Sequence, residues 1–182
     1  MPGTSLELHP RLIIVSGPPG SGKTTLAHRV AQTIGCPALC RDEIKEGMVH
    51  ALGQDFTASA ADPLTARTYP LFFECLRLML ANGVTVVAEA AFQHRLWSQG
   101  LEPLLGLAEI RILRCSSADQ TLLRRRQRRM DSDAARAAHA DSEVLTIRHD
   151  WVPIRIDRPT LDVDTTEGYR PVLTEITAFC GI

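Results

Sequence analysis

Aromatic side chains are scarce, at 5% of the residues. Single-stranded nucleic acid is gripped largely through bases stacked on exposed aromatics, so the composition offers no obvious stacking platform. Charge of one sign is lacking as well. Twenty Lys and Arg face 21 Asp and Glu, a formal net charge of −1. That balance gives no global attraction toward nucleic acid or an anionic membrane, and any such partner would need a local patch. No apolar run approaches the ~20 residues that cross a bilayer. The start, Met1-Pro-Gly-Thr-Ser-Leu-Glu-Leu-His-Pro, has neither a basic stretch nor an apolar core of the signal-peptide kind. The cysteines are odd in number (Cys36, Cys40, Cys75, Cys115, Cys180) and include no C-x-x-C pair. Neither a His-x-x-x-His nor a second cysteine pair completes a zinc site with Cys36 and Cys40. These absences predict buried, reduced thiols, a cytoplasmic location, no membrane partner and no zinc.

What is present is an ordinary globular balance, 45% apolar and 23% charged over 182 residues, enough for one compact domain over residues 1–182. Leu12 to Val15 is a short apolar run rich in β-branched residues, the pattern of a strand buried on both faces. Thr24 to Ile34 carries Leu26, Val30, Ala31 and Ile34 on one helical stripe, closed by Gly35 and Pro37. A weak strand follows at residues 38–40. Asp42 is placed to cap a helix running to His50. Gly53 to Ala61 is polar and small, a loop. Asp62-Pro63 opens a long helix to Ala81, closed by Asn82-Gly83. Further strands are predicted at Val84–Ala88, Ile110–Leu113 and Thr160–Val163. Further helices are predicted at Gln93–Leu105, Ser117–Met130 with Ser117 as cap, Ser142–Trp151, and from Tyr169 or Pro171 to Phe179. Strands alternating with helices imply a parallel sheet covered on both faces.

Between the first strand and the first helix stands Gly17-Pro18-Pro19-Gly20-Ser21-Gly22-Lys23-Thr24, which matches G-x-x-x-x-G-K-[ST] without departure. Glycines let the backbone curl and aim its N–H groups inward, and the helix N-terminus adds partial positive charge at the same point. Lys23 supplies a point charge for β- and γ-phosphates, and the Thr24 hydroxyl is a hard ligand for Mg²⁺. Gly17 to Thr25 are therefore the predicted nucleotide-binding residues. A G-x-G-x-x-G dinucleotide site is excluded because Thr25 stands where a third glycine would be required.

Gly17–Thr25 followed by Arg41-Asp42-Glu43-Ile44 resembles the small P-loop "predicted kinase" family, related to the 5′-kinase domain of polynucleotide kinase, chloramphenicol phosphotransferase and zeta toxins. Val86-Val-Ala-Glu89-Ala-Ala-Phe92, the arginine-rich segment ending at Arg129, and Leu161-Asp-Val-Asp164-Thr165-Thr-Glu-Gly-Tyr169 extend the likeness over nearly the whole chain. The resemblance implies an α/β P-loop NTPase three-layer sandwich with a five-stranded parallel sheet of order 2-3-1-4-5, as in nucleoside-monophosphate kinases.

It also implies roles. Asp42 matches an aspartate that takes the proton of an attacking hydroxyl, beside its simpler reading as a helix cap. Arg41 is a candidate acceptor or phosphate contact. Glu89 ends a strand where an acid can hold Mg²⁺ or substrate, although the family usually has Asp there, followed by Thr or Asn. Arg125 and Arg129 share one helix face and match a lid pair, one arginine on the transferring phosphoryl group and one packing on adenine. Residues 124–141 would then form a lid, and Thr165 would lie near the adenine. Gly53–Ala61 and Phe92–Trp97 would shape the acceptor pocket.

The expected function is transfer of the γ-phosphate of ATP, with Mg²⁺, to a hydroxyl of a metabolite or antibiotic. A polynucleotide 5′-hydroxyl is the second acceptor, resting on the arginine run. An ATP-binding switch or ATPase without acceptor is the alternative of another class.

Overall fold

The computed structural model describes residues 8–52, 63–92, 94–132 and 151–181. A five-stranded sheet runs in the order β2-β3-β1-β4-β5, with every neighbouring pair parallel. Its strands are β1 (Arg11–Ser16), β2 (Ala38–Cys40), β3 (Val86–Glu89), β4 (Glu109–Ser116) and β5 (Thr160–Asp164). The helices are α1 (Lys23–Ile34), α2 (Arg41–Leu52), α3 (Pro63–Ala81), α4 (His94–Leu101), α5 (Asp119–Ser132) and α6 (Leu173–Phe179). The expected order 2-3-1-4-5 is the observed one.

The central strand shows why the sheet must be covered twice. Successive side chains of β1 alternate between faces, and all of Leu12 to Val15 are fully buried. Leu12 and Ile14 join Phe72, Leu76, Phe92, Trp97 and Leu101 on one face. Ile13 and Val15 join Leu26, Val30, Val163 and Ile176 on the other. Helix α1 ends as its sequence demands: Gly35 adopts a left-handed φ of 77° and returns its N–H to the Ala31 carbonyl at 2.9 Å.

Several boundaries differ from expectation, each for a local reason. Strand β3 begins at Val86 because the Arg11 N–H bonds the Thr85 hydroxyl (3.1 Å), while the Val84 N–H turns back to the Met79 carbonyl (3.0 Å). At its other end β3 takes in Glu89, paired with Val15 and with Cys40. Helix α2 starts directly at Arg41, so Asp42 lies inside the first turn and is not the cap. The predicted helix to Leu105 stops at Leu101 and tightens into a 3₁₀ turn over Glu102–Leu104, where Pro103 lacks the N–H an α-helix needs. Helix α5 starts at Asp119. Ser117 is not its cap; its hydroxyl faces the Thr166 hydroxyl at 3.5 Å. Helix α6 starts at Leu173 because Arg170 is held in a two-bond bridge to Asp164. The loop 53–61, the cap Asp62, residues 133–141 of the lid and the helix expected over 142–150 lie outside the described residues; Trp151 is not helical. Among the described residues no helix is long and apolar enough to cross a membrane.

Candidate active site

The glycine-rich segment leaves β1 and enters α1 at the carboxyl ends of the strands, where ligands of open α/β sheets collect. All three of its glycines are required by geometry, Gly20 by a left-handed φ of 85°. A Cβ on Gly17 would come within 2.6 Å of the Ser21 hydroxyl and 2.7 Å of the Cys115 carbonyl oxygen. Gly22 has a φ of 76°, a left-handed conformation that side-chain-bearing residues avoid. The Ser21 N–H bonds the Pro18 carbonyl at 3.1 Å, and the Leu26 N–H reaches the Gly22 carbonyl at 3.0 Å, closing the first turn of α1.

Inside this turn lies a buried charge cluster. Lys23 Nζ stands 3.5 Å from Glu89 Oε1, and the Thr24 hydroxyl donates to Glu89 Oε2 at 3.1 Å. Glu89 is only 1% exposed. Burial pushes its carboxyl above the usual carboxylate range; the Lys23 ammonium opposes the rise and the nearby Asp42 carboxylate adds to it. Asp42 is thus close enough to Glu89 for the two acids to feel each other, across the step from β2 to β3. Its Oδ1 accepts from Arg41 Nη1 at 2.9 Å, and half of its side chain stays exposed.

Two buried atoms here have no hydrogen-bond partner among the described residues, Glu89 Oε1 and Ser21 Oγ. Glu89 Oε1, which faces the Lys23 ammonium at 3.5 Å, and the Thr24 hydroxyl beside it make the kind of hard-oxygen donor set that Mg²⁺ prefers. Thr24 and Glu89 therefore fit a Mg²⁺ ion, with Lys23 adjacent to receive phosphate oxygens.

Arg125 closes the other side of the loop. Its Nη2 donates to the Thr165 carbonyl at 2.6 Å and its Nη1 to the Thr165 hydroxyl at 3.1 Å, with the Gly20 carbonyl 3.5 Å away. Thr165 is buried, and its hydroxyl donates to the Ser21 carbonyl at 2.6 Å, with the Ser116 carbonyl at 3.1 Å. The hydroxyl expected near adenine is thus engaged in tying the phosphate loop to the end of β4. It remains on the wall of a cavity of about 490 Å³ that Thr25, Arg29, Arg125, Gly168 and Tyr169 also line. Arg129 lies one turn farther along α5 on the same face; its side chain is outside the described residues.

Sequence reasoning missed two features. Lys45 is buried on α2, on the turn following Asp42; a lysine inside a polar helix carries no sequence signal of burial. Phe92 is the one non-glycine residue with positive φ (43°) among those described. The turn before it is clamped at the Ala91 carbonyl, which accepts from the Ser16 hydroxyl (3.0 Å) and from Trp151 Nε1 (2.8 Å). Phe92 and Trp97, expected to shape an acceptor pocket, are both buried and pack on each other with ring centroids 4.8 Å apart. Residue 93 and the side chains of 94–96, the rest of that segment, lie outside the described residues.

With this geometry in place, comparison with known proteins is decisive for the family. The model of the AAA domain matches residues 12–151. The chain belongs to the AAA domain family. Its core is a P-loop, kinase-like domain. A candidate kinase from Chloroflexus aurantiacus is 27% identical, with a TM-score of 0.80 over 93% of this chain and 96% of that one. The APS kinase CysC of Mycobacterium tuberculosis, in complex with AMPPNP and APS, shares the fold at 18% identity and a TM-score of 0.61, covering 96% and 99% of the two chains. The Pnkp1/Rnl/Hen1 RNA repair complex contains a chain alike in fold at 19% identity and a TM-score of 0.57, covering 83% of this chain and 50% of that one. No curated protein matches the chain.

Proposed function

We propose that this AAA domain protein is an ATP-dependent phosphotransferase that moves the γ-phosphoryl group to a hydroxyl of a small molecule, a metabolite or antibiotic. The observation that carries the reading is the set Lys23, Thr24, Glu89 and Asp42, gathered from three adjacent strand ends around the phosphate loop.

Residues 17–24 hold the triphosphate through main-chain N–H groups and the N-terminal end of α1. Lys23 neutralises β- and γ-oxygens, while Glu89 keeps its hydrogen bond from the Thr24 hydroxyl. Mg²⁺, held by Thr24 and Glu89, supplies charge neutralisation on the phosphate oxygens when bound. Asp42 takes the proton of the acceptor hydroxyl as its oxygen bonds to the γ-phosphorus and the bond to the β,γ-bridging oxygen breaks, releasing ADP. Arg41 orients Asp42. Arg125, anchored to both the phosphate loop and Thr165, is assigned to the transferring group or the base, with Arg129, whose side chain lies outside the described residues, as its partner in the pair.

The test is ADP release across a library of hydroxyl compounds. The wild type should release ADP only with its acceptor. Asp42→Asn should lose about 10²–10⁴-fold of that rate while still binding nucleotide. Full acceptor-dependent turnover by Asp42→Asn would remove the base assignment. A polynucleotide 5′-hydroxyl is the second acceptor class, favoured by the arginines of α5, of which Arg124 is exposed. It predicts turnover that falls steeply with salt.

A further inference from the structure

On the side of α1 that faces α2, a second group of side chains converges. His28 lies one turn beyond Thr24 on α1, Cys40 is the last residue of β2, and Glu43 sits in the first turn of α2. Their ligand atoms all lie within 4.8 Å of one another. His28 Nε2 is 2.6 Å from Glu43 Oε1 and 3.7 Å from Cys40 Sγ. Cys40 is buried, while His28 and Glu43 are about half exposed.

The pattern of contacts separates two chemistries. In a nucleophile–base relay, the histidine uses one ring nitrogen for the thiol and the other for the orienting carboxylate. Here a single nitrogen, Nε2, faces both. Three ligand atoms of mixed type within 4.8 Å of one another suit a shared cation, which would take the place of the direct His28–Glu43 contact. A tetrahedral ion with bonds of ~2.3 Å to sulfur and ~2.0–2.1 Å to nitrogen sets those two atoms about 3.6 Å apart, close to the 3.7 Å between Cys40 and His28. Glu43 needs to draw back by less than about 1 Å to complete a third vertex on the same scale, and its exposed side chain is free to do so. Burial first, and then the Glu89 and Glu43 carboxylates, hold the Cys40 thiol well above the usual thiol range, a cost that a bound cation would offset.

We propose that His28, Cys40 and Glu43 form a cation site for a borderline metal of the Zn²⁺ class, separate from the hard-oxygen site at Thr24 and Glu89. Thiolate and imidazole select Zn²⁺ over Mg²⁺. The thiol proton passes to solvent as the Cys40 sulfur binds. The open side of the site leaves one position to water. The bound ion ties the β2–α2 junction, which carries Arg41 and Asp42, to α1.

Cobalt serves as the spectroscopic probe. Untagged full-length protein titrated with Co²⁺ should develop a near-ultraviolet thiolate-to-cobalt band at one equivalent. Zn²⁺ should bleach the band, and excess Mg²⁺ should not. Cys40→Ser should abolish it and Cys36→Ser should keep it. The exposed substitutions His28→Ala and Glu43→Gln, which test the site even should Cys40→Ser fail to fold, should each weaken Zn²⁺ binding at least about tenfold, the lower end of what losing even an outer-shell partner costs. No band in folded wild-type protein, a band that survives Cys40→Ser, or unchanged affinity in both exposed variants would overturn the site.

Discussion

Lys23 and Glu89 form a buried ion pair, Nζ to Oε1 at 3.5 Å, across the mouth of the phosphate loop. Each is the other's counter-charge in a place where neither could stand alone, and the pair separates when phosphate takes the lysine. Breaking a buried pair from one side strands the other charge, at a cost of about 3–5 kcal/mol. Lys23→Met should lower the stability of the nucleotide-free protein by up to about that much, lessened as the stranded carboxyl takes a proton. Lys23→Met with Glu89→Gln should regain most of the loss. Urea unfolding of these two variants and of Glu89→Gln alone measures this; strictly additive losses would show that the pair is not coupled.

The raised pKa of Glu89 sets a pH dependence of definite sign. A carboxyl whose pKa is higher folded than unfolded favours the native state in its protonated form. Its contribution therefore falls as pH rises from the ordinary glutamate value through the raised native one, and is flat beyond. Asp162 has the opposite sign: its hydrogen bonds with Arg114 hold it low, so its contribution is lost in acid. The difference in melting temperature between wild type and Glu89→Gln isolates the first effect. Without nucleotide or metal it should decline with rising pH across that window. A difference independent of pH would contradict the burial of an ionising Glu89.

Thr165 ties three parts together, accepting from Arg125 and bonding the carbonyls of Ser21 and Ser116. Thr165→Val removes the hydroxyl and leaves the Ser21 carbonyl without it, a loss of about 1–3 kcal/mol. The expected result is lower thermal stability together with weaker ATP binding, because the loop is less firmly held. Stability and affinity both unchanged would refute the tie.

Much of this was legible in the sequence, and the reasons are physical. Leu12–Val15 read as a doubly buried strand and Gly35 as a left-handed cap because each rests on a local rule, and the structure has both; Gly17–Thr24 matched the P-loop pattern on the same footing. The position of Glu89 at a strand end followed from the apolar run before it. Its ion pair with Lys23 did not, since it depends on which strands become neighbours. The same holds for His28, Cys40 and Glu43: no metal spacing exists along the chain, and the donors meet only because β2 delivers Cys40 between two helices. The first turn of α2 was misjudged because the chain passes from strand to helix without an intervening cap residue.

Trp151 and Ser16 both bond the Ala91 carbonyl, the clamp on the strained turn before Phe92. Trp151→Phe keeps an aromatic side chain, smaller by one ring, and removes the indole N–H. Because that turn directly follows Glu89, the variant should raise the KM for acceptor more than it lowers ATP affinity. Steady-state kinetics with each substrate varied distinguishes the two; equal effects on both, or none, would count against the clamp.

The proposed phosphoryl transfer requires that the amides of residues 17–24 and the ammonium of Lys23 grip a triphosphate. Isothermal calorimetry of ATP with Mg²⁺ into the folded, nucleotide-free protein tests this most directly. One site per chain is predicted, with Lys23→Ala weakening it about 10- to 100-fold, the 1.5–3 kcal/mol of a charge-assisted contact. No binding of any purine nucleotide to folded wild-type protein, or equal affinity in Lys23→Ala, would contradict it.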